Sequence, residues 1–324
     1  APSPIAEPQD PSPPSTTRAR TQAAPTGAAT TARPAPTSST KNPAPVYDLL
    51  VIIPVAAGER SRRDAIRKSW MRYMKSPCCK SCGHHSVHTI FIVGNEGNVA
   101  DSHAEANETG DLHVLDDFGQ SAYYTMRSQK TAYSIRYAVE HFNFRFLLKT
   151  DSDSWVFYDR LLDMFDEKKL WSKGRLYAGN FQSGAGAVPH QDKNSKWYDP
   201  VYKQATQMNV YPRHAKGAGY ILSRSLAEYV ATVQAGTHEF LPSEDVATGF
   251  WLSPIKKECV ELPVSIQDSC GSAAKGPIID HYIVPGKMQE RWSRYEQTGN
   301  PCTSAWDSSS FRGSQAKSKC SPTQ

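Results

Sequence analysis

A strand pattern over residues 48–55, continuously apolar from Leu49 and rich in valine and isoleucine, most constrains how this chain can fold. A strand that lacks alternating polar residues is typical of one buried on both faces, as in parallel sheets covered by helices. Further strand patterns at 87–93, 111–115, 144–149 and 175–180 alternate with helical patterns at 59–74, 121–142 and 158–168. This order predicts an α/β fold with a mostly parallel central sheet flanked by helices, whose ligands bind beyond the carboxyl ends of the strands.

The first 45 residues differ in composition from the rest of the chain. They hold 11 of the 23 prolines and 13 serine or threonine residues, and they contain no aromatic residue. Because such a segment cannot bury enough apolar surface to offset its chain entropy, we expect a disordered stem. The stem is either O-glycosylated or a plain linker. We expect one catalytic domain over residues 46–300 and a C-terminal tail over residues 301–324.

Charge and hydropathy exclude two classes of protein. The net charge is +5 over 324 residues, and the chain lacks the concentrated basic face of nucleic-acid-binding proteins. We therefore expect no nucleic-acid partner. No stretch reaches the roughly 18 apolar residues that a membrane-spanning helix needs.

The cysteines could bind zinc or form disulfides. They are Cys78, Cys79, Cys82, Cys259, Cys270, Cys302 and Cys320. Zinc is an option because His84, His85 and His88 follow the first three cysteines, but the second Cys-x-x-Cys pair of most structural zinc sites is missing. We favour disulfides formed in a secretory compartment, with the odd cysteine free or paired between chains. The N-glycosylation sequon Asn107-Glu108-Thr109 points the same way.

Two acidic residues separated by one position follow the predicted strand at 144–149. Asp151 and Asp153 stand where two buried, unpaired carboxylates would be costly without a cation. Carboxylate oxygens bind hard divalent cations, and such a cation can in turn hold phosphate oxygens. The alternative is a solvated turn that caps the next helix.

A second acidic pair, Glu244-Asp245, follows Ser243, a residue typical of a helix N-cap. The helix dipole alone favours acidic residues in a first turn. This segment alone therefore leaves two alternatives open: the acidic pair has a structural role at the helix start, or one carboxylate acts as a general base. Upstream, Gly217 and Gly219 permit close approach of the backbone to a ligand.

Taken together, four motifs in a fixed order resemble the β-1,3-galactosyltransferases of glycosyltransferase family 31, which also contains β-1,3-N-acetylglucosaminyltransferases. The motifs are Arg63-x-x-Ile66-Arg67-x-Ser69-Trp70, Lys149-Thr150-Asp151-Ser152-Asp153, Tyr211-Pro212 with Gly217-x-Gly219-Tyr220-x-x-Ser223, and Glu244-Asp245-Val246-x-x-Gly249. The resemblance covers roughly residues 49–292. It implies a GT-A type fold and an inverting enzyme that uses Mn²⁺, a UDP-sugar donor and a glycan acceptor. It also implies a type II membrane protein of the Golgi lumen, whose anchor is not in this chain.

The resemblance also implies roles for single residues. The implied metal ligands are Asp151, Asp153 and His281, the last in His281-Tyr282-x-x-Pro285, and the implied general base is Asp245. Donor binding is expected of Arg67, Lys130, Lys149 and Ser152. Acceptor binding is expected of Glu244, Trp197 and Trp251, although the two tryptophans could equally be core residues.

We therefore predict transfer of a hexose, with galactose favoured, from a UDP-sugar to a glycan hydroxyl through a β-1,3 linkage. N-acetylglucosamine and N-acetylgalactosamine are the alternative donor sugars. A phosphatase of the haloacid dehalogenase type would use Asp151 as nucleophile, but the paired acidic motif it needs after a later strand is missing. A secreted lectin would bind glycans without releasing UDP.

Overall fold

The computed structural model describes residues 45–116, 118, 127–181, 187–194, 198–233, 240–266, 270 and 276–302. Nearly all of the predicted stem and most of the predicted tail lie outside these residues, as does Trp197. Among the described helices, none is long and apolar enough to cross a membrane.

Strands and helices alternate along the described chain. The strands are β1 Val46–Pro54, β2 Val87–Gly94, β3 Leu112–Leu115, β4 Asn143–Thr150, β5 Ser154–Val156, β6 Leu176–Phe181, β7 Ala215–Ser223, β8 Glu258–Glu261, β9 Val264–Ser265 and β10 Ile279–His281. The α-helices are α1 Arg60–Arg67, α2 Val99–Thr109, α3 Arg127–His141, α4 Tyr158–Glu167, α5 Tyr202–Thr206, α6 Arg224–Ala231, α7 Glu244–Leu252 and α8 Pro285–Thr298. Short 3₁₀ helices span Trp70–Lys75, Ser81–His84 and Leu170–Ser172.

Seven strands form one sheet in the order β3-β2-β1-β4-β7-β6-β8. Only β7 runs antiparallel to its neighbours. Residues 49–53 of β1 are fully buried and contribute alternately to two hydrophobic clusters, one on each face of the sheet. Helices α1, α4 and α8 pack in the first cluster, and α3, α6 and α7 pack in the second. The predicted fold class, α/β with a mostly parallel central sheet flanked by helices, is confirmed.

The helix predicted over residues 59–74 is shorter than expected. Helix α1 ends at Arg67, and Ser69 leaves the helical region with φ −127° and ψ −113°. The Ser69 hydroxyl donates a hydrogen bond to the carbonyl of Ala65 at 2.6 Å. A serine that bonds four residues back competes with the helical ladder and bends the chain. Trp70 and Tyr73 nevertheless reach the core, as their apolar spacing predicts.

A second, three-stranded sheet in the order β5-β10-β9 brings a late segment of the chain to the carboxyl end of β4. Strand β10 pairs antiparallel with β5, so that His281 lies opposite Ser154. Asp280 on β10 is fully buried and accepts hydrogen bonds from Arg291 of α8 and from the backbone N–H of Cys270. These contacts fix the position of β10.

Disulfides join Cys79 to Cys82 and Cys270 to Cys302, and Cys78 is also disulfide-bonded. Cys259 is the free cysteine of the described part of the chain. The prediction of disulfides rather than zinc is confirmed for the five bonded cysteines.

Candidate active site

Asp151, Asp153 and His281 come together where β4 meets the small sheet. One ligand atom of each residue lies within 4.8 Å of the other two. The His281 ring places Nδ1 3.3 Å from Asp153 Oδ1 and Nε2 3.9 Å from Asp151 Oδ2. The turn 151–153 leads directly into β5, and β10 pairs with β5. The capping alternative for this turn is wrong, because a strand follows it and not a helix.

The chemistry of this donor set suits a divalent cation. Two carboxylates and one imidazole offer two hard oxygen ligands and one nitrogen ligand, which Mn²⁺ accepts. Burial raises the pKa of Asp153, and the neighbouring Asp151 raises it further, while His281 lowers it. A cation between the two acids would relieve their repulsion and the cost of their burial. The three residues could therefore hold one metal ion.

Lys149 connects this turn to the second acidic pair. Its side chain is almost fully buried, with the residue 3% exposed. The ammonium donates to Asp151 Oδ1 at 2.7 Å, to Glu244 Oε2 at 2.7 Å and to the carbonyl of Gly217 at 3.0 Å. Burial alone would lower the pKa of Lys149, but the two carboxylates raise it well above its ordinary value. Lys149 is thus a fixed positive charge between two acids.

Glu244 is buried at the start of α7, and both of its carboxylate oxygens are engaged. Tyr220 donates its hydroxyl to Oε1 at 2.5 Å, and Lys149 donates to Oε2. Burial raises the pKa of Glu244, and the charge of Lys149 opposes that rise. The acceptor-binding role of Glu244 stays a prediction, because the contacts in the structure all face inward.

Asp245 accepts three hydrogen bonds at the same helix start. The backbone N–H of Gly217 donates to Oδ2 at 3.1 Å, and the Ser243 hydroxyl and the N–H of Val246 donate to Oδ1 at 3.0 and 2.9 Å. A carboxylate offers about four lone-pair positions, so one is left to take a proton. Helix α7 begins after Ser243 as predicted, but the Ser243 hydroxyl binds Asp245 instead of a backbone N–H.

Gly217 joins the two halves of the site. Its N–H donates to Asp245 and its carbonyl accepts from Lys149. On the same strand, a Cβ added at Gly219 would lie 2.5 Å from Ile279 Cδ1. Glycine at position 219 therefore allows β7 to approach β10, which carries His281 at its end. The sequence predicted that the backbone at Gly217 and Gly219 could approach a ligand closely. In the structure the groups that approach these two glycines are Asp245 and Ile279 of the same chain.

The comparison with known proteins decides the family. The galactosyltransferase family model matches residues 61–263 of the 324-residue chain. The chain belongs to the galactosyltransferase family. The resemblance inferred from the four motifs is confirmed.

Three relatives place the chain within this family. A β-1,3-galactosyltransferase of Arabidopsis thaliana is 27% identical over 269 residues, which cover 80% of this chain and 39% of the relative. UDP-GalNAc:β-1,3-N-acetylgalactosaminyltransferase 2 of Xenopus laevis is 32% identical over 171 residues, which cover 52% of this chain and 32% of the relative. A hydroxyproline O-galactosyltransferase of Arabidopsis thaliana is 28% identical over 209 residues, which cover 62% of this chain and 59% of the relative. The chain thus spans less than two thirds of the length of each.

Two of the predicted donor-binding residues of this galactosyltransferase-family chain lie at the carboxyl edge of the sheet. Lys130 donates to the carbonyl of Val55, just after β1, and to Glu96, just after β2. The hydroxyl of Ser152 donates to Glu59 at 3.4 Å. Because these strands end at the same edge as β4, both residues share the edge with Asp151. Their donor-binding roles stay predictions.

Arg67 is not brought to this edge. Its guanidinium donates to Asp111, Glu105 and Asp64. Asp111 directly precedes β3, so it marks the amino end of that strand. The structure thus separates Arg67 from the candidate metal ligands, because three carboxylates hold it on the side of α1 that faces α2.

The sequence assigns no role to Arg63 of the same motif, yet its side chain contacts the segment that follows β1 at the carboxyl edge of the sheet. Its buried guanidinium donates to the carbonyls of Ala56 and Ala57 and, through two nitrogens, to Glu105. These bonds fix the segment between β1 and α1, which carries Glu59 beside Ser152. Both arginines lie on one face of α1, so spacing alone could not separate them.

Trp251 is a core residue. It is 4% exposed and packs edge-to-face on Phe240, with 6.0 Å between the ring centroids. A sugar platform needs an exposed ring face, so the predicted acceptor-stacking role of Trp251 is wrong. Of the two candidate tryptophans, Trp197 lies outside the described residues.

We expect Trp251→Ala to lower the free energy of unfolding by about 3–5 kcal/mol, because it deletes a buried indole. Equilibrium urea unfolding measures this loss, and Trp251→Phe, which keeps a ring in the core, should lose only about 1–2 kcal/mol. The KM for the acceptor should be unchanged in both variants. A raised acceptor KM with wild-type stability would restore the platform role.

Proposed function

We propose that this family member is an inverting, metal-dependent glycosyltransferase that moves galactose from UDP-galactose to a glycan hydroxyl through a β-1,3 linkage. One observation carries the proposal. The cluster of Asp151, Asp153 and His281 is separated from the acidic pair Glu244-Asp245 by the single side chain of Lys149. Metal ligands and a candidate base therefore share one edge of the sheet, in a chain that belongs to the galactosyltransferase family.

Asp151, Asp153 and His281 are the residues that would hold Mn²⁺. When bound, the cation would neutralise the diphosphate and make UDP a competent leaving group. Lys149 orients Asp151 through a 2.7 Å hydrogen bond, and Ser154 lies 3.0 Å from His281 Nδ1. These two contacts hold the side chains of Asp151 and His281 in place before a cation binds, which lowers the free-energy cost of assembling the site.

Asp245 is the group that we propose as general base. It would accept the proton of the acceptor hydroxyl as that oxygen attacks the anomeric carbon. The new carbon–oxygen bond forms on the face opposite UDP, and the bond to the phosphate oxygen breaks with its electron pair on UDP. This single displacement inverts α to β. The three donors on Asp245 hold the carboxylate in place for the transfer.

N-acetylgalactosamine is the second candidate donor sugar. Two of the three relatives above are named galactosyltransferases, and the relative with 32% identity is named for N-acetylgalactosamine transfer. The family match gives no support to the phosphatase alternative. A lectin would leave the donor intact, so release of UDP separates the two functions.

The test is a UDP-release screen with UDP-galactose, UDP-N-acetylgalactosamine and UDP-N-acetylglucosamine. Each donor is assayed with and without Mn²⁺ on β-galactoside, β-xyloside and β-N-acetylhexosaminide acceptors. We expect Mn²⁺-dependent UDP release with UDP-galactose and one acceptor class, and a β-1,3 linkage in the product by NMR. Glycan binding without UDP release from any donor would contradict the proposal.

We also propose that the native protein acts in the Golgi lumen, anchored by a segment outside this chain, with residues 1–45 as its stem. The disulfides support a secretory compartment. The sequon residue Asn107 is exposed on α2. Expression of the full-length protein in cells, followed by endoglycosidase digestion and microscopy, tests the location.

A further inference from the structure

Tyr282, directly after the candidate metal ligand His281, has a backbone conformation that tyrosine rarely adopts. Its φ is +65°. A bulky side chain is disfavoured there, because its Cβ comes too close to the following carbonyl oxygen. The described residues include three other non-glycine positions with positive φ. Lys169 and Gln207 lie where α4 and α5 end, a common place for this conformation, and Cys270 is held by its disulfide to Cys302. Tyr282 follows a strand, so it needs another explanation.

The residues on both sides of Tyr282 are tied to the acidic turn. His281 pairs with Ser154 across the small sheet. Ile283 is fully buried, and its N–H donates to the carbonyl of Asp153 at 2.8 Å. The chain between these two anchors must turn at residue 282, so the surrounding structure maintains the strain. Strain of this kind is often found at ligand-binding sites.

The turn places an aromatic ring beside the candidate metal ligands. The Tyr282 ring lies 4.1 Å from the His281 ring, centroid to centroid, with 43° between their planes. Ile283 is buried, but the residues on either side of it are exposed: Tyr282 is 45% exposed and Val284 is 58% exposed. An apolar surface thus borders a cluster of carboxylates and imidazole. A ligand that binds both the cluster and the apolar surface must carry charged groups on one side and C–H groups on the other.

We propose that Tyr282 is a carbohydrate-binding residue, whose ring packs against the C–H face of a pyranose next to Asp151, Asp153 and His281. The inference rests on the proposed function, and it adds a sugar contact to that site. The pyranose belongs either to the donor or to the acceptor, and the two sources share the same chemistry. The strained turn aims the ring at the sugar instead of at the core.

The test variant is Tyr282→Asn, because asparagine tolerates a positive φ and removes the ring. Calorimetry with UDP and Mn²⁺, and then with UDP-galactose and Mn²⁺, separates the nucleotide from the sugar. We expect the affinity for UDP to stay within about twofold of wild type. The sugar contact should weaken by about three- to tenfold, the scale of one aromatic packing interaction. A donor contact lowers the affinity for UDP-galactose, whereas an acceptor contact raises the acceptor KM alone.

Two controls isolate the ring. Tyr282→Phe keeps it and should retain wild-type values within about twofold. Tyr47→Asn removes a tyrosine that stacks on a histidine at the opposite edge of the sheet, 4.9 Å from the ring of His88. This variant should leave both affinities and the acceptor KM unchanged. If Tyr282→Asn does not fold, Tyr282→Gly takes its place, since glycine accepts this φ without strain.

Three results would overturn the proposal. The first is a ring-deleted variant with wild-type affinity for UDP-galactose and wild-type acceptor KM. The second is a loss in Tyr282→Phe as large as that in Tyr282→Asn, which would assign the effect to the hydroxyl. The third is an equal loss of UDP affinity, which would mean that Tyr282 acts through His281. If the wild-type protein itself does not bind UDP with Mn²⁺, the proposed function fails first and the sugar contact with it.

Discussion

Replacing Asp153 by asparagine is expected to lower sugar transfer by roughly a thousandfold or more. The change removes one of two negative ligands at the point where charge develops on the departing diphosphate. Asp153 is a cleaner target than Asp151, because Asp151 also accepts a hydrogen bond from the buried ammonium of Lys149. His281→Ala should lose less, since water can replace one neutral ligand. UDP release at saturating donor and Mn²⁺ measures the activities of the wild type, Asp153→Asn and His281→Ala.

Thermal unfolding tests the same assignment without turnover. A cation that binds only the folded protein, at a hundred times its Kd, stabilises it by about 2.7 kcal/mol, so Mn²⁺ should raise the Tm of the wild type. The Tm of Asp153→Asn should not respond to Mn²⁺. Without metal, this variant should be at least as stable as the wild type, because one of two adjacent acids is gone.

The matched control for this measurement is Asp101→Asn, an exposed aspartate in the first turn of α2. It should keep the wild-type response to Mn²⁺ and the wild-type turnover. Full activity of Asp153→Asn in EDTA would contradict the metal assignment. An equal Mn²⁺-induced rise in Tm for Asp153→Asn and the wild type would also contradict it.

The fold was predictable because its information is local. The uninterrupted apolar run in β1 requires burial on both faces, and alternating helices supply that burial. The helix predicted over residues 59–74 was wrong past Arg67 because the pattern of Trp70 and Tyr73 records burial, which a 3₁₀ turn satisfies equally well. Periodicity thus predicted which residues are buried more reliably than it predicted where the helix ends.

The site was only partly predictable, because its contacts join distant segments. Asp151 and Asp153 stand out at the end of a strand, whereas His281 was found only through the family resemblance. The strands that bring it there, β5 and β10, have three residues each, too few to show a pattern. The bridge from Lys149 to Glu244 joins residues 95 positions apart. No spacing rule predicts such a pair.

The roles predicted for Trp251 and Arg67 lost support, because the type of a residue does not determine which way its side chain points. Trp251 lies on α7, where most residues are buried, so an aromatic ring there faces the core. Arg67 and Arg63 are one turn apart on α1, yet the neighbouring carboxylates hold Arg67 away from the loop that Arg63 fixes. In both cases the groups that surround the side chain decide its role, and only the tertiary structure shows which groups these are.

Asp245→Asn is expected to lower kcat by roughly a hundred- to ten-thousandfold, the range typical of a lost general base. The amide oxygen can still accept from Ser243 and Val246, so the start of α7 should stay folded. The amide NH₂ would face the N–H of Gly217, which now donates to Oδ2, so stability should fall by about 1 kcal/mol. Calorimetry should find the affinity for UDP and Mn²⁺ near wild type, because the metal ligands are untouched.

Two neighbours separate a general base from a structural cap. Ser243→Ala removes one hydrogen bond to Asp245 Oδ1 and leaves a carboxylate that can take a proton, so kcat should fall by less than about tenfold. Glu244→Gln weakens the bridge to Lys149, so we expect lower stability and a raised acceptor KM, with a smaller change in kcat. A structural cap predicts similar kcat values for Ser243→Ala and Asp245→Asn, because each loses one hydrogen bond at the helix start. A general base predicts that only Asp245→Asn loses two or more orders of magnitude, since only this change removes the proton acceptor.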